Sequence, residues 1–250
     1  MAKLGVQKLA QDGVRSLNSY FMYSLVAVLL GFIMILFAAP LLGSNAAGAS
    51  SAGAGLSLIL ILLIAVVAVV FDIYGLLSLM FGLRDIRRSS LKHASNYSTI
   101  SCQLKYIVIS LVVVEIIVVA LSMVNAITTL QSTLYGMAPT PSPIPLVLMA
   151  FIILDMALLI LWTWELSKTY KFLSSDLSQK PLYSAGNLLL AGMAIIVLAA
   201  LAGVIIKPAS GIATIQGAAG AAVLLLELVG LALYAASFYM GYKGTKAALR

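Results

Sequence analysis

Six long apolar runs restrict what this chain can fold into more than any other feature. They lie at about 20–42, 56–82, 104–130, 146–167, 186–206 and 218–242. A helix rises about 1.5 Å per residue and a bilayer has a hydrocarbon core about 30 Å thick, so each run is long enough to span a membrane. The runs also lack the period-two alternation of a membrane-spanning strand. The sequence therefore predicts an all-α, polytopic membrane bundle of six transmembrane helices in contact with the lipid bilayer.

The overall composition argues against a soluble domain. Of the 250 residues, 62% are hydrophobic and 9% are charged, whereas about 25% are charged in a typical soluble domain. The only cysteine, Cys102, excludes an intrachain disulfide and a multi-cysteine metal site. The only histidine, His93, lies in the charged loop RRSSLKH, where we expect a solvated side chain rather than a ligand. No cofactor is predicted.

Positive charge is concentrated at the two ends of the chain and in alternate connectors. These segments carry Lys3, Lys8, Arg15, Arg84, Arg87, Arg88, Lys92, Lys105, Lys168, Lys171, Lys180, Lys243, Lys246 and Arg250. The other three connectors carry only Lys207. Short basic loops remain on the cytoplasmic side, so we predict a multi-pass protein of the cell membrane with both termini in the cytoplasm. Because the net charge of +7 follows this pattern, no nucleic-acid partner is expected.

The first eighteen residues precede the first apolar run and have an amphipathic pattern. On a helical wheel an apolar arc is formed by Val6, Leu9, Ala10, Val14 and Leu17. This pattern predicts a short basic helix on the membrane surface. A solvated basic tail is the alternative, because Gly5 and Gly13 weaken a helix.

The spans form three consecutive hairpins, and the second helix of each carries one acid. These acids are Asp72, Asp155 and Glu227. Sixteen residues after each acid comes a base, and these bases are Arg88, Lys171 and Lys243. Seven residues after each acid comes a bulky side chain: Leu79, Trp162 and Tyr234. The repeat predicts that the three acids occupy equivalent positions in the three hairpins.

A fourth acid, Glu115, lies in the third span beside a polar seam that includes Ser122 and Asn125. No lysine or arginine lies near the middle of any span to pair with the acids. An ionised carboxylate in hydrocarbon costs at least about 2.5–3.5 kcal/mol, so each acid is expected to be buried in the bundle. The acids, this seam and Tyr234 form either a proton or cation pathway or a set of interhelical contacts.

With its basic amphipathic start, its six spans rich in Ala, Leu, Ile and Val, and the segment GLRDIRR, the chain resembles the polytopic membrane proteins of undefined function that are common in archaea. The resemblance extends over the whole chain and concerns its general composition and span pattern, not a specific motif. It implies the six-span fold and carries no activity or site residue.

Catalytic motifs are missing from the sequence. It has no Gly-rich phosphate loop, no HExxH and no Gly-x-Ser-x-Gly elbow, so an enzyme is not predicted. An enzyme that acts on lipid ranks third, well behind the two hypotheses that follow. Our first hypothesis is a small transporter or channel for protons, cations or a small cationic solute. The alternative is a non-catalytic subunit of a larger membrane complex, in contact with other subunits or with a second copy. A shared hydrated cavity would favour transport, whereas separate helix contacts would favour the subunit.

Overall fold

The computed structural model describes residues 2–43, 51–89, 91–134, 144–209 and 213–250. Side chains are described for residues 7–34, 60, 63–89, 91–121, 124, 146–202 and 220–250. The regular structure of these residues consists of α1 (Ala2–Gly43), α2 (Ser51–Arg87), α3 (Ala94–Leu134), α4 (Ile144–Leu177), α5 (Lys180–Ala209) and α6 (Ala213–Ala248). In this described part, all six helices are long and apolar enough to cross a membrane. The predicted all-α, six-span class is confirmed.

The chain divides into two compact units. Unit 1 consists of Met1–Ser101 and Leu166–Arg250, and unit 2 of Cys102–Glu165. Unit 1 therefore contains α1, α2, α5 and α6 together with the first turns of α3 and the end of α4. The closely packed helix pairs among the described residues are α1 with α2, α5 with α6, and α1 with α6. Unit 2 contains the rest of α3 and α4.

Helix α1 runs without interruption from Ala2 to Gly43. The predicted separation of a surface helix at 1–18 from the first span is therefore wrong. The apolar arc continues in register into the span, and its residues Val14 and Leu17 are buried, as is Phe21. The face that was expected to lie on a membrane thus packs against protein.

The crossing of α1 and α2 depends on two glycines. A Cβ atom on Gly82 would lie 3.0 Å from the carbonyl oxygen of Gly13 and 2.9 Å from Leu17 Cγ. Only a hydrogen fits in this space, so the absence of a side chain lets the two backbones approach. Ala68 and Gly75, on the same stripe of α2, are also buried.

A similar pattern occurs in the last hairpin. Three residues after its acid, α2 has Gly75 and α6 has Gly230. A Cβ on Gly75 would lie 3.3 Å from Ser24 Oγ of α1, and one on Gly230 would lie 3.2 Å from the Gly192 carbonyl oxygen of α5. In both hairpins, the glycine after the acid therefore faces the preceding helix.

One heptad further along, the correspondence continues with a different residue type. Gly82 of α2 approaches the backbone of α1 at Gly13. At the equivalent place on α6, the buried Ser237 hydroxyl donates a hydrogen bond to the Ala185 carbonyl oxygen of α5 at 2.7 Å. Two hairpins of unit 1 thus share their packing pattern relative to the acid.

The core of unit 1 lies at the end where the basic connectors meet, which we call the basic end. The largest fully buried side chains of this unit are Leu17, Phe21, Leu79, Leu83, Ile86, Tyr97, Leu166, Tyr170, Leu173, Leu182 and Leu189. The rings of Phe21 in α1 and Tyr170 in α4 are 5.0 Å apart, and Tyr20 meets Phe238 of α6 edge-on at 5.9 Å. These contacts join α1, α4 and α6 at the basic end.

Candidate functional site

The predicted acids do not share one environment. Asp72 and Glu115 are exposed, whereas Asp155 and Glu227 are half-buried. The expectation that every acid is buried within the bundle is therefore wrong for Asp72 and Glu115. The residues beside Asp72 on the same face of α2 are small. They let α1 approach closely, but they are too short to cover the Asp72 carboxyl group. Around Glu115 most of the α3 surface is exposed, and only Val114 among its immediate neighbours is buried.

Two of the acids interact electrostatically within unit 2. Glu115 on α3 lies within electrostatic range of Asp155 on α4. The Asp155 Oδ1 atom is buried and has no hydrogen-bond partner among the described residues. Two carboxyl groups that interact electrostatically in a low-dielectric setting cannot both be readily ionised. The described residues contain no cluster of three or more metal-ligating side chains.

Tyr234 connects α6 to α5. Its hydroxyl donates a hydrogen bond to Met193 Sδ at 3.2 Å, and its ring packs edge-on against Phe238 at 6.2 Å. The two other candidates of the polar seam, Ser122 and Asn125, belong to α3, but their side chains lie outside the described residues.

A cluster of tyrosines in unit 1 was not predicted. The buried Tyr20 hydroxyl interacts with Ser24 and Tyr170, and electrostatic interactions connect it to Asp72 and Tyr234; the buried Tyr170 hydroxyl itself has no hydrogen-bond partner among the described residues. Asp72 therefore lies at the edge of a buried cluster of hydroxyl groups. This cluster connects α1, α4 and α6. The sequence signal was weak, because tyrosines near span ends are usually assigned to the interfacial belt.

His93 has a different role from the one predicted. Its Nδ1 lies 2.6 Å from Asp176 Oδ1, and the Tyr97 hydroxyl donates to Asp176 Oδ2 at 2.8 Å. The His93 side chain is only 20% exposed and that of Asp176 is fully buried. The imidazole also stacks on Phe172, with ring centroids 4.9 Å apart. The prediction of a solvated histidine is therefore wrong.

This contact fastens the α2–α3 connector to a helix end. His93 precedes α3 and Asp176 lies in the last turn of α4, so the hydrogen bonds hold the α2–α3 connector against the end of α4. Both oxygens of the buried Asp176 carboxyl group therefore have a hydrogen-bond partner. A signal was present: Asp176 is the only acid between Lys168 and Lys180. Sequence alone could not indicate which connector it would meet.

Comparisons with protein-family models, with curated proteins and with solved structures find no match to the chain. The six long apolar helices among the described residues make it a multi-pass integral membrane protein. Beyond this class, function is inferred from the environments of the acids and from the charged surfaces.

Proposed function

We propose that the protein is a non-catalytic subunit of a larger membrane complex and that acids on its outer surface bind helices of other subunits. The observation that supports this most directly is the exposure of Glu115 on α3. Its neighbours on the same face, Val112 and Val119, are exposed as well. A carboxyl group thus lies in the middle of an outward-facing apolar surface.

The energetics favour a protein partner for this surface. Facing hydrocarbon would cost an ionised Glu115 at least about 2.5–3.5 kcal/mol. A partner helix with a cationic or hydrogen-bonding side chain removes this penalty, and polar contacts between membrane helices contribute about 0.6–2 kcal/mol. A second copy of this chain would supply no lysine or arginine near the middle of a span. A different subunit is therefore the better complement.

Purification with its native lipids would test this proposal. The protein is extracted from its membrane in polymer-bounded lipid discs, and the mass and composition of the particle are determined. We expect other protein chains beside the 26.3 kDa polypeptide. Particles that contain a single copy alone would contradict the proposal, as would particles that contain only further copies.

Two leucine variants sharpen the test. Glu115→Leu removes the acid and Ser110→Leu removes another exposed polar side chain of α3, about 140° away around the helix at about 100° per residue. We expect Glu115→Leu to lose the partner and Ser110→Leu to retain it. Both should insert normally, because leucine lowers the cost of insertion. Equal retention of the partner would exclude Glu115 from the contact.

Transport is the second candidate, and the proximity of Glu115 and Asp155 is the observation that favours it. A carboxyl pair with an unsatisfied buried oxygen suits uptake of a proton or a small cation. In reconstituted vesicles, this function predicts a flux that Glu115→Gln and Asp155→Asn both abolish. A purified chain without flux, or a flux unchanged in both variants, would exclude it.

A further inference from the structure

Helix α6 presents an inner and an outer face at the basic end. On the inner face, the buried Thr245 Oγ1 donates to Asn18 Oδ1 of α1 at 2.9 Å. Gly241 lies directly against the Phe21 ring, and Gly244 against Leu182 of α5. These contacts fix the orientation of the last turns of α6, so the opposite face has a defined position on the surface.

The outer face of these turns forms a shallow basic groove of about 380 Å³, lined by Tyr239, Tyr242, Lys243, Lys246, Ala247 and Arg250. The volume lies within the range of small-ligand clefts, about 300–1,000 Å³. Among the residues that the structure describes, no acidic side chain lines the groove. Three basic residues therefore line one groove, which is complementary to an anion.

Part of this groove is preorganised. Lys246 Nζ donates a hydrogen bond to the Tyr242 hydroxyl at 3.1 Å and lies 5.2 Å from the centroid of that ring. The contact restrains a side chain that would otherwise lose considerable rotamer freedom on binding. Tyr242 thus holds one ammonium group in position.

An apolar track leads to the groove along the same face of α6. Leu225 and Val229 are exposed, Ala232 continues the stripe, and the half-exposed Tyr239 ends it immediately before Lys243. The order along the helix is apolar, aromatic and then basic, which is the order of acyl chain, interface and headgroup in a bilayer. A soluble anion would contact the basic side chains of the groove and would not need the apolar track.

We propose that this groove binds the phosphate headgroup of an anionic phospholipid, with the acyl chains along the track. Lys243, Lys246 and Arg250 would contact the phosphate oxygens as charged donors, and Tyr239 would lie beside the glycerol region. The proposal is independent of a subunit or transport function, because neither involves this face of α6.

Binding can be measured on the purified protein in a non-ionic detergent by native mass spectrometry. The probes are dioctanoyl phosphatidylglycerol, dioctanoyl phosphatidylcholine and inorganic phosphate, each added alone. We expect the anionic lipid to bind and the other two to bind at least tenfold more weakly. Equal binding of phosphatidylcholine would refute recognition of charge. Equal binding of inorganic phosphate would refute the lipid as occupant and indicate a soluble anion.

Two triple variants with the same loss of charge test the location of the site. In the first, Lys243, Lys246 and Arg250 are replaced by glutamine. Each base near an anionic headgroup contributes about fivefold to affinity, so this variant should bind about a hundredfold more weakly. The control replaces Arg87, Lys92 and Lys180, which are exposed bases outside the groove, and should change affinity less than fivefold. Equal weakening in both would refute a localised site.

The variant Tyr242→Phe tests the preorganisation separately. It removes the acceptor for Lys246 and keeps the ring and the charge. We expect a few-fold loss of affinity for the anionic lipid with unaltered elution on size exclusion. Unchanged affinity would show that Tyr242 does not position the ammonium group.

Discussion

Replacing Gly82 by alanine tests whether α1 and α2 cross as closely as described. The new methyl group would lie 3.0 Å from the Gly13 carbonyl oxygen, and a backbone atom cannot rotate away from it. The helices must separate, and such overpacking costs about 1–3 kcal/mol. Alanine also gains about 0.8–1 kcal/mol of helix propensity over glycine, which partly offsets the cost.

A matched variant removes the propensity contribution from the comparison. Gly31 also lies in a helix of this hairpin, but a Cβ there would have no described heavy atom within 4 Å. Gly31→Ala should therefore show the propensity gain alone, so the two variants should differ by about 1–3 kcal/mol. At about 2–4 °C per kcal/mol for a chain of this size, the apparent melting temperatures should differ by about 2–12 °C.

The assay heats each purified variant in detergent and records the fraction that still elutes as a monodisperse peak. Gly230→Ala and Gly220→Ala form a second pair on α6. A Cβ on Gly230 would lie 2.6 Å from Ile196 Cγ1, whereas one on Gly220 would meet no described heavy atom within 4 Å. If Gly82→Ala and Gly31→Ala melt at the same temperature, the close crossing of α1 and α2 is refuted.

Three further predictions concern polar contacts and orientation. His93→Ala should destabilise the fold by about 1–3 kcal/mol, because it removes a hydrogen-bond partner from the buried Asp176 carboxyl group; the double variant with Asp176→Ala should lose less than the sum of the single losses, and strict additivity would contradict the coupling. Ser237→Ala should cost about 0.5–1.5 kcal/mol by removing the hydrogen bond from its hydroxyl to the Ala185 carbonyl oxygen, and an unchanged melting temperature would show that the bond adds nothing. The exposed Cys102 should react with an impermeant thiol reagent only when the cytoplasmic face is opened, and labelling of intact cells would reverse the predicted orientation.

The spans could be predicted from the sequence because hydropathy reports directly on contact with lipid. The ends of the helices could not. The fourth span was predicted to end at 167, yet α4 continues to Leu177, and α3 begins at Ala94, ten residues before its predicted span. Helices extend into the polar region wherever packing supports them, and hydropathy does not detect that packing.

The candidate site was predictable in part. Carboxyl groups in the middle of apolar runs are costly enough to be conspicuous in the sequence. Which surfaces remain uncovered depends on how the helices pack in three dimensions, so the exposure of Glu115 was missed. The contact between His93 and Asp176 joins residues 83 apart in the chain, a separation at which local patterns carry no information.

Site-specific photocrosslinking beside Glu115 tests the proposed subunit function most directly. A photoreactive residue is placed at Val119, about 40° from Glu115 around α3, or at Val113, about 160° away, taking about 100° per residue. The two positions are similarly exposed, at 53% and 51%. We predict protein adducts from Val119, their loss when Glu115→Leu is added, and lipid adducts alone from Val113. Lipid adducts alone from both positions would contradict the proposal.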